Sequence, residues 1–233
     1  LVVLFVPWIL ASIIQYGSPN LWRQFVDLFG PLARGILGLK VTPQGPSKEE
    51  LEKYLPVVYV GNHQSALDVI TYAVLPYERV VAVGKKEIAR IPFVGFIFKA
   101  CGNIFIDRQN RDSAMKTMKS VADEIRSRKV SVVMYPEGTR NRTGVGLLPF
   151  KKGAFHLAIE AQVPIVPIVC SSLRNVQPRV GGPVRPGHII IRSLDPISTS
   201  GMTLNDVEPL LARVRELMEK NLQEVTEQAW KKD

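Results

Sequence analysis

Residues 1–14 read LVVLFVPWILASII, an unbroken apolar run, and the first side chain charged at neutral pH is Arg23. As a helix, fourteen residues rise only ~21 Å, short of the ~30 Å hydrocarbon core of a bilayer. After the turn signal Gly17-Ser18-Pro19-Asn20, Leu21, Trp22, Phe25, Leu28, Phe29, Leu32, Ile36 and Leu37 recur at helical spacing, with Arg23, Asp27 and Arg34 between them. That pattern predicts an amphipathic helix interrupted at Gly30-Pro31. Two successive apolar, aromatic-rich helices suggest that residues 1–40 form a hairpin in a membrane interface. The same pattern also fits a helical pair packed on a domain core.

From Val41 to Tyr54 the chain turns polar, which marks a boundary between residues 1–40 and a domain spanning 41–233. Beyond it, short runs rich in β-branched residues alternate with helical patterns. Val57–Val60, Val80–Val83, Ile104–Ile106, Val130–Tyr135, Ile165–Val169 and His188–Arg192 read as strands. Most are continuously apolar, as strands covered on both faces are. Helices are expected near Ala66–Leu75, Ser113–Arg128 and Lys151–Gln162, and again after Thr203, with Val207, Leu210, Leu211, Val214, Leu217, Met218 and Val225 on the apolar face. The alternation predicts a single α/β domain with a mostly parallel central sheet flanked by helices.

Length and composition fit that expectation. With 233 residues, 46% hydrophobic and 22% charged, the chain suits one well-filled domain and excludes general disorder. Cys101 and Cys170 form no CxxC pair and no disulfide framework, which points to a reducing compartment. The net charge is +9, and its distribution is uneven: Lys85–Lys152 holds 15 Lys and Arg against 6 Asp and Glu. The remainder is neutral. A basic middle third favours an anionic partner, whether nucleic acid, an anionic membrane surface or a phosphorylated small molecule. The basic residues lack the interleaved aromatics on which bases would stack, so nucleic acid fits least well.

The chain has no phosphate-binding G-x-x-x-x-G-K-[ST] loop, G-x-G-x-x-G fingerprint, H-E-x-x-H or G-x-S-x-G elbow. Two polar clusters at strand ends remain. The first is Asn62-His63-Gln64-Ser65-Ala66-Leu67-Asp68, after PVVYVG. On one continuous helix His63 and Asp68 would lie about 140° apart. They meet only if His63 sits in the turn and Asp68 in the first helical turn. Ser65 and Asp68 also have capping-box spacing, in which both side chains merely satisfy backbone N–H groups. The catalytic alternative makes neutral His63 a proton acceptor for an alcohol, with Asp68 fixing its tautomer.

The second cluster, Tyr135-Pro136-Glu137-Gly138-Thr139-Arg140-Asn141-Arg142, follows VSVVMY. Gly138 permits close backbone approach to a ligand, and Thr139 and Arg140 offer donors suited to phosphate. Lys85 and Arg108 end two further predicted strands; a single arginine reads as well as a surface ion pair, but three basic strand-end sites, Lys85, Arg108 and Arg140, favour a convergent phosphate pocket.

In order along the chain, NHQSALD, GNIFIDR (Gly102–Arg108), PEGTR (Pro136–Arg140) and VPIVPIV (Val163–Val169) resemble the four sequence blocks of the glycerolipid acyltransferases, specifically the 1-acyl-sn-glycerol-3-phosphate acyltransferases. LPFKKGAFHLA (Leu148–Ala158) is also similar to that group. The resemblance implies transfer of a fatty acyl group from acyl-CoA or acyl carrier protein to the 2-hydroxyl of lysophosphatidic acid, giving phosphatidic acid. It implies that His63 is the base and Asp68 its partner, and that Arg108 and Glu137, Gly138, Thr139 and Arg140 bind the acceptor's glycerol phosphate, with Lys85 near that phosphate. No metal or bound cofactor is expected. The partners implied are the two substrates and a membrane surface, with the site facing the cytoplasm, at the inner membrane of a bacterium or the endoplasmic reticulum of a eukaryote. A related acyltransferase using glycerol 3-phosphate or another lysophospholipid, or a non-catalytic binder of anionic lipid, is the alternative.

Overall fold

The computed structural model describes residues 15–74, 79–92, 94–106, 111–179 and 181–231. The apolar run 1–14, and with it the first helix of the expected hairpin, lies outside the described residues, as does Arg108.

Seven strands form one sheet: β1 (Leu39–Gln44), β2 (Val58–Gly61), β3 (Val80–Lys85), β4 (Ile104–Ile106), β5 (Ser131–Met134), β6 (Ile165–Cys170) and β7 (Gly187–Ser193). Their order is β1-β7-β6-β2-β5-β3-β4. β6, β2, β5, β3 and β4 run parallel. β7 pairs antiparallel with β6, and β1 pairs parallel with β7. The sheet is therefore mostly parallel, as the continuous apolar runs predict.

Helices cover both faces. Val58 and Val60 of β2 face one cluster, built with α5 (Arg111–Arg128), α6 (Gly153–Ala161) and α7 (Val207–Trp230) through Ile125, Phe155, Val214 and Met218. Val57 and Tyr59 face the other, with Leu51 from α2 (Lys48–Glu52) and with Leu67 and Tyr72 around α3 (Asp68–Thr71). All four residues of β2 are buried. Complete removal of such side chains from water stabilises the sheet by roughly 1.5–3 kcal/mol each, and it fixes β2 as the centre of the molecule.

α1 (Pro19–Leu37) is a single helix running through Pro31, not two pieces broken at Gly30-Pro31. Packing outweighs the proline penalty of about 3 kcal/mol. Leu21 and Phe29 are buried against Ala100 and Cys101, where α4 (Val94–Ala100) ends. Gly38 stops the helix in a left-handed conformation, its N–H reaching the carbonyls of Arg34 and Gly35. Farther along the same apolar stripe, Leu28, Leu32 and Ile36 are exposed. Among the described residues, no helix is long and apolar enough to cross a membrane.

The polar stretch 41–54 is not a linker. Its first residues complete β1, and Ser47 and Glu50 form the reciprocal cap that starts α2. Cys101 and Cys170 are both buried free thiols, and burial pushes the Cys101 thiol up to about 12.

Candidate active site

Three neighbouring parallel strands, β6, β2 and β5, end side by side. The carboxyl edge of such a sheet collects polar loops because the strands exhaust their ladder partners there. β2 delivers Asn62–Leu67, β5 delivers Tyr135–Arg142, and β6 delivers Ser171–Leu173.

The first loop turns into α3 at Asp68, the geometry that lets residues five apart meet. The Nδ1–H of His63 donates to Asp68 Oδ2 at 2.6 Å, with the His63 side chain 26% exposed and that of Asp68 2% exposed. The same Oδ2 accepts the backbone N–H groups of Gln64 at 2.9 Å and Ser65 at 3.2 Å. One half of the capping-box alternative is thus present together with the histidine contact. The other half is not: Ser65 Oγ accepts from the N–H of Leu67 and donates to Gln177 Oε1 at 2.5 Å. With Nδ1 donating to a carboxylate, Nε2 carries the lone pair.

Two buried amides flank His63 and lock its loop to β6. Asn62 donates to the Cys170 carbonyl at 2.9 Å and accepts the Cys170 N–H at 2.8 Å. Gln64 donates to the carbonyls of Cys170 and Ser171 and accepts the N–H of Leu173. Sequence reasoning gave neither residue a role. No local signal marks them, because their partners on and after β6 lie more than a hundred residues away in sequence.

The second loop is fastened to the first. Asn141 donates its backbone N–H to the His63 carbonyl at 2.7 Å. Glu137, expected to bind substrate, is 3% exposed and is placed otherwise: Oε1 accepts the His63 N–H at 2.7 Å and Oε2 the Leu148 N–H at 2.9 Å. Burial pushes its carboxyl above the ordinary value of 4.5, against the opposing pull of those two N–H groups. Gly138 adopts φ +69°, a left-handed conformation, and a Cβ there would lie 2.9 Å from the Lys151 stem. Thr139 and Arg140 are exposed beside it, and Arg140 has no ion-pair partner among the described residues. Lys85 closes β3 on the same sheet edge.

Tyr135, the residue before the PEGTR block, stacks on the imidazole of His63 with centroids 4.3 Å apart and planes 18° from parallel. Tyr72 meets Tyr135 edge-on at 5.8 Å. An apolar groove of about 420 Å³ opens next to this site, lined by Phe25, Phe29, Leu32 and Ile36 of α1 and by Ala66 and Val69 around α3.

The family model described as Acyltransferase matches residues 45–171, which contain His63, Asp68, Lys85, Tyr135 and the Glu137–Arg140 loop. The chain belongs to the acyltransferase family. Among its curated relatives, this acyltransferase is 41% identical over 93% of its length to the 1-acyl-sn-glycerol-3-phosphate acyltransferase of Haemophilus influenzae, covering 88% of that protein. It is 38% identical over 89% of its length to the Escherichia coli protein of the same name, covering 82% of that chain. The crystal structure of the 1-acyl-sn-glycerophosphate (LPA) acyltransferase from Thermotoga maritima superposes with a TM-score of 0.74 at 22% identity, over 92% of this chain and 83% of that one. At that identity the likeness concerns the fold.

Proposed function

We propose that this acyltransferase moves a fatty acyl group from acyl-CoA or acyl carrier protein to the 2-hydroxyl of lysophosphatidic acid, giving phosphatidic acid for phospholipid synthesis. The observation that carries the reading is the 2.6 Å contact from His63 Nδ1 to the buried Asp68 carboxylate, which leaves Nε2 available at the sheet edge. Nε2 accepts the acceptor's hydroxyl proton as that oxygen attacks the thioester carbonyl. Collapse of the tetrahedral intermediate breaks the C–S bond, and the departing thiolate takes the proton back from the imidazolium. Asp68 offsets the transient positive charge. The scheme uses no metal or bound cofactor.

Arg140, the backbone at Gly138 and Thr139, and Lys85 form the set to which we assign the acceptor's phosphate, because all belong to one sheet edge or the loops leaving it, and the family resemblance adds Arg108. The groove between α1 and α3 suits a lipid tail, since its lining is apolar and Ala66 lies within the histidine loop. Leu32 and Ile36 on α1 and Val69 on α3 expose apolar surface on the rim of that groove, and Leu28 exposes more beside it. We assign these residues, with the 1–14 run, to a membrane surface whose anionic lipid attracts the basic middle segment by ~1 kcal/mol per suitably placed cation. The active site then faces the cytoplasm.

The deciding experiment measures free thiol released from acyl-CoA with lysophosphatidic acid, with glycerol 3-phosphate, and with no acceptor. Release that depends on lysophosphatidic acid supports the reading. Preferential use of glycerol 3-phosphate, or liposome binding without any thiol release, overturns it in favour of one of the alternatives.

A further inference from the structure

From the stacked contact between Tyr135 and His63 we propose that Tyr135 is a positioning residue for the acyl transfer, its ring acting as a fixed plate that sets the direction in which His63 Nε2 points. This inference rests on His63 being the base. A single hydrogen bond at Nδ1 fixes the distance from imidazole to Asp68 but leaves the ring free to tilt about the Nδ1···Oδ2 line. A parallel aromatic face at 4.3 Å removes that freedom, because tilting drives one ring edge into the plate and lifts the other away. The contact has a second effect: the π face of a phenol favours a cation above it, so the imidazolium formed during proton transfer is stabilised relative to neutral imidazole.

The plate is itself held. Tyr72 presents its ring edge to Tyr135 at 89°, and its hydroxyl lies 2.7 Å from the Asn62 carbonyl oxygen and 2.9 Å from Asn62 Oδ1. Asn62 is the residue before His63 and is bonded to Cys170 in both directions. Gly61, one residue earlier, leaves the space Tyr72 needs, since a Cβ there would stand 2.9 Å from the Tyr72 ring. The chain of contacts therefore closes on itself, from the His63 backbone through Asn62, Tyr72 and Tyr135 to the His63 ring. Among the described residues no hydrogen bond involves the Tyr135 hydroxyl, and the function is assigned to the ring alone. Of the titratable groups around His63, Asp68 on α3 meets the ring at Nδ1, Tyr135 stacks on its face, and Glu137 accepts the backbone N–H.

Tyr135→Phe keeps the plate, whereas Tyr135→Leu and the longer Tyr135→Met remove it while keeping an apolar side chain. The proposal expects Y135F within about threefold of wild-type kcat. It expects Y135L and Y135M to lose on the order of 10–100-fold in kcat, with KM for both substrates little changed. NMR of ¹³C-labelled histidine supplies a readout independent of turnover, because the chain has three histidines and His63→Ala assigns the relevant signal. The His63 ring protons should show the upfield ring-current displacement in wild type and Y135F and lose it in Y135L or Y135M. Equal losses in Y135F and the aliphatic variants would overturn the proposal by placing the function on the hydroxyl. So would a lost ring-current displacement with unchanged kcat. If His63→Ala itself keeps near-normal turnover, the catalytic reading fails instead, a result the tyrosine variants cannot mimic.

Discussion

Glu137 Oε1 accepts the backbone N–H of His63 at 2.7 Å while Oε2 accepts that of Leu148 at 2.9 Å, so one buried carboxylate ties the histidine loop to the segment entering α6. Arg215 of α7 holds the far side of that segment by donating to the carbonyls of Leu147 and Leu148. Glu137→Gln keeps the size but presents an amide N–H₂ to one of two backbone donors. One buried N–H then loses its acceptor, at a cost of about 1–3 kcal/mol. The expected result is a kcat reduced on the order of tenfold or more together with a lowered urea midpoint. Unchanged activity in a destabilised variant would confine Glu137 to folding.

The same carboxylate gives stability a definite pH dependence. Burial is the largest influence and raises the folded-state value above the ordinary 4.5. A raised carboxyl binds its proton more tightly in the folded than in the unfolded state. Its stabilising contribution is therefore fully present below the unfolded value and is lost as pH rises through the raised folded value. Urea titrations of wild type and E137Q at about pH 4 and about pH 8 should show the difference moving in favour of wild type at the acid end. Movement in the opposite direction would mean that the two backbone N–H bonds outweigh burial.

Asp68→Asn separates charge from shape. An asparagine oxygen can replace Oδ2 as acceptor for the N–H groups of Gln64 and Ser65, and its nitrogen falls where Oδ1 has no hydrogen-bond partner. The fold should survive, with Tm lowered by only a few degrees. Turnover should fall by about 10²–10⁴-fold, because the charge that stabilises the imidazolium and selects its tautomer is gone. His63→Ala should reduce turnover at least as far with a smaller change in Tm, since Glu137 and Asn141 grip the His63 backbone rather than its ring. A D68N enzyme with wild-type kcat would refute the assignment of Asp68.

Arg140 is exposed and without an ion-pair partner among the described residues, unlike Arg23, Arg126, Arg128, Arg192 and Arg215. Arg140→Ala should change stability by less than ~0.5 kcal/mol. KM for lysophosphatidic acid should rise about tenfold, the equivalent of one charge-assisted contact, while KM for the acyl donor stays near its wild-type value. Equal effects on the two substrates would move the guanidinium away from the acceptor's phosphate.

Much of this was legible in the chain because doubly covered strands must be continuously apolar, and Val57–Val60 and Ile165–Val169 carry that signature. β1 was read as part of a polar boundary for the opposite reason. As an edge strand it pairs on one side only, and it tolerates Pro43, whose missing N–H no neighbour requires. The contact of His63 with Asp68 could be expected because a turn followed by a helix brings residues five apart together. The functions of Asn62, Gln64, Glu137 and Tyr135 could not, because their partners lie roughly seventy to more than a hundred residues away in sequence. Local spacing holds no information about which strand lands beside which.

The exposed face of α1 gives the membrane assignment its test. Ile36 is 69% exposed, and Leu28 and Leu32 are each 38% exposed, on a helix that buries Leu21 and Phe29 against the end of α4. Water contact by three neighbouring apolar side chains is unfavourable by roughly 25 cal/mol per Å², and a lipid interface relieves it. Replacing Leu32 and Ile36 by Ser should leave Tm nearly unchanged, because neither side chain belongs to the buried cluster. Sedimentation with vesicles containing anionic phospholipid should then fall several-fold, and raising salt should weaken the remaining binding further by screening the basic middle segment. Activity toward lysophosphatidic acid presented in vesicles should drop with binding. A double variant that binds vesicles as tightly as wild type would reduce that face of α1 to exposed apolar surface with no part in docking.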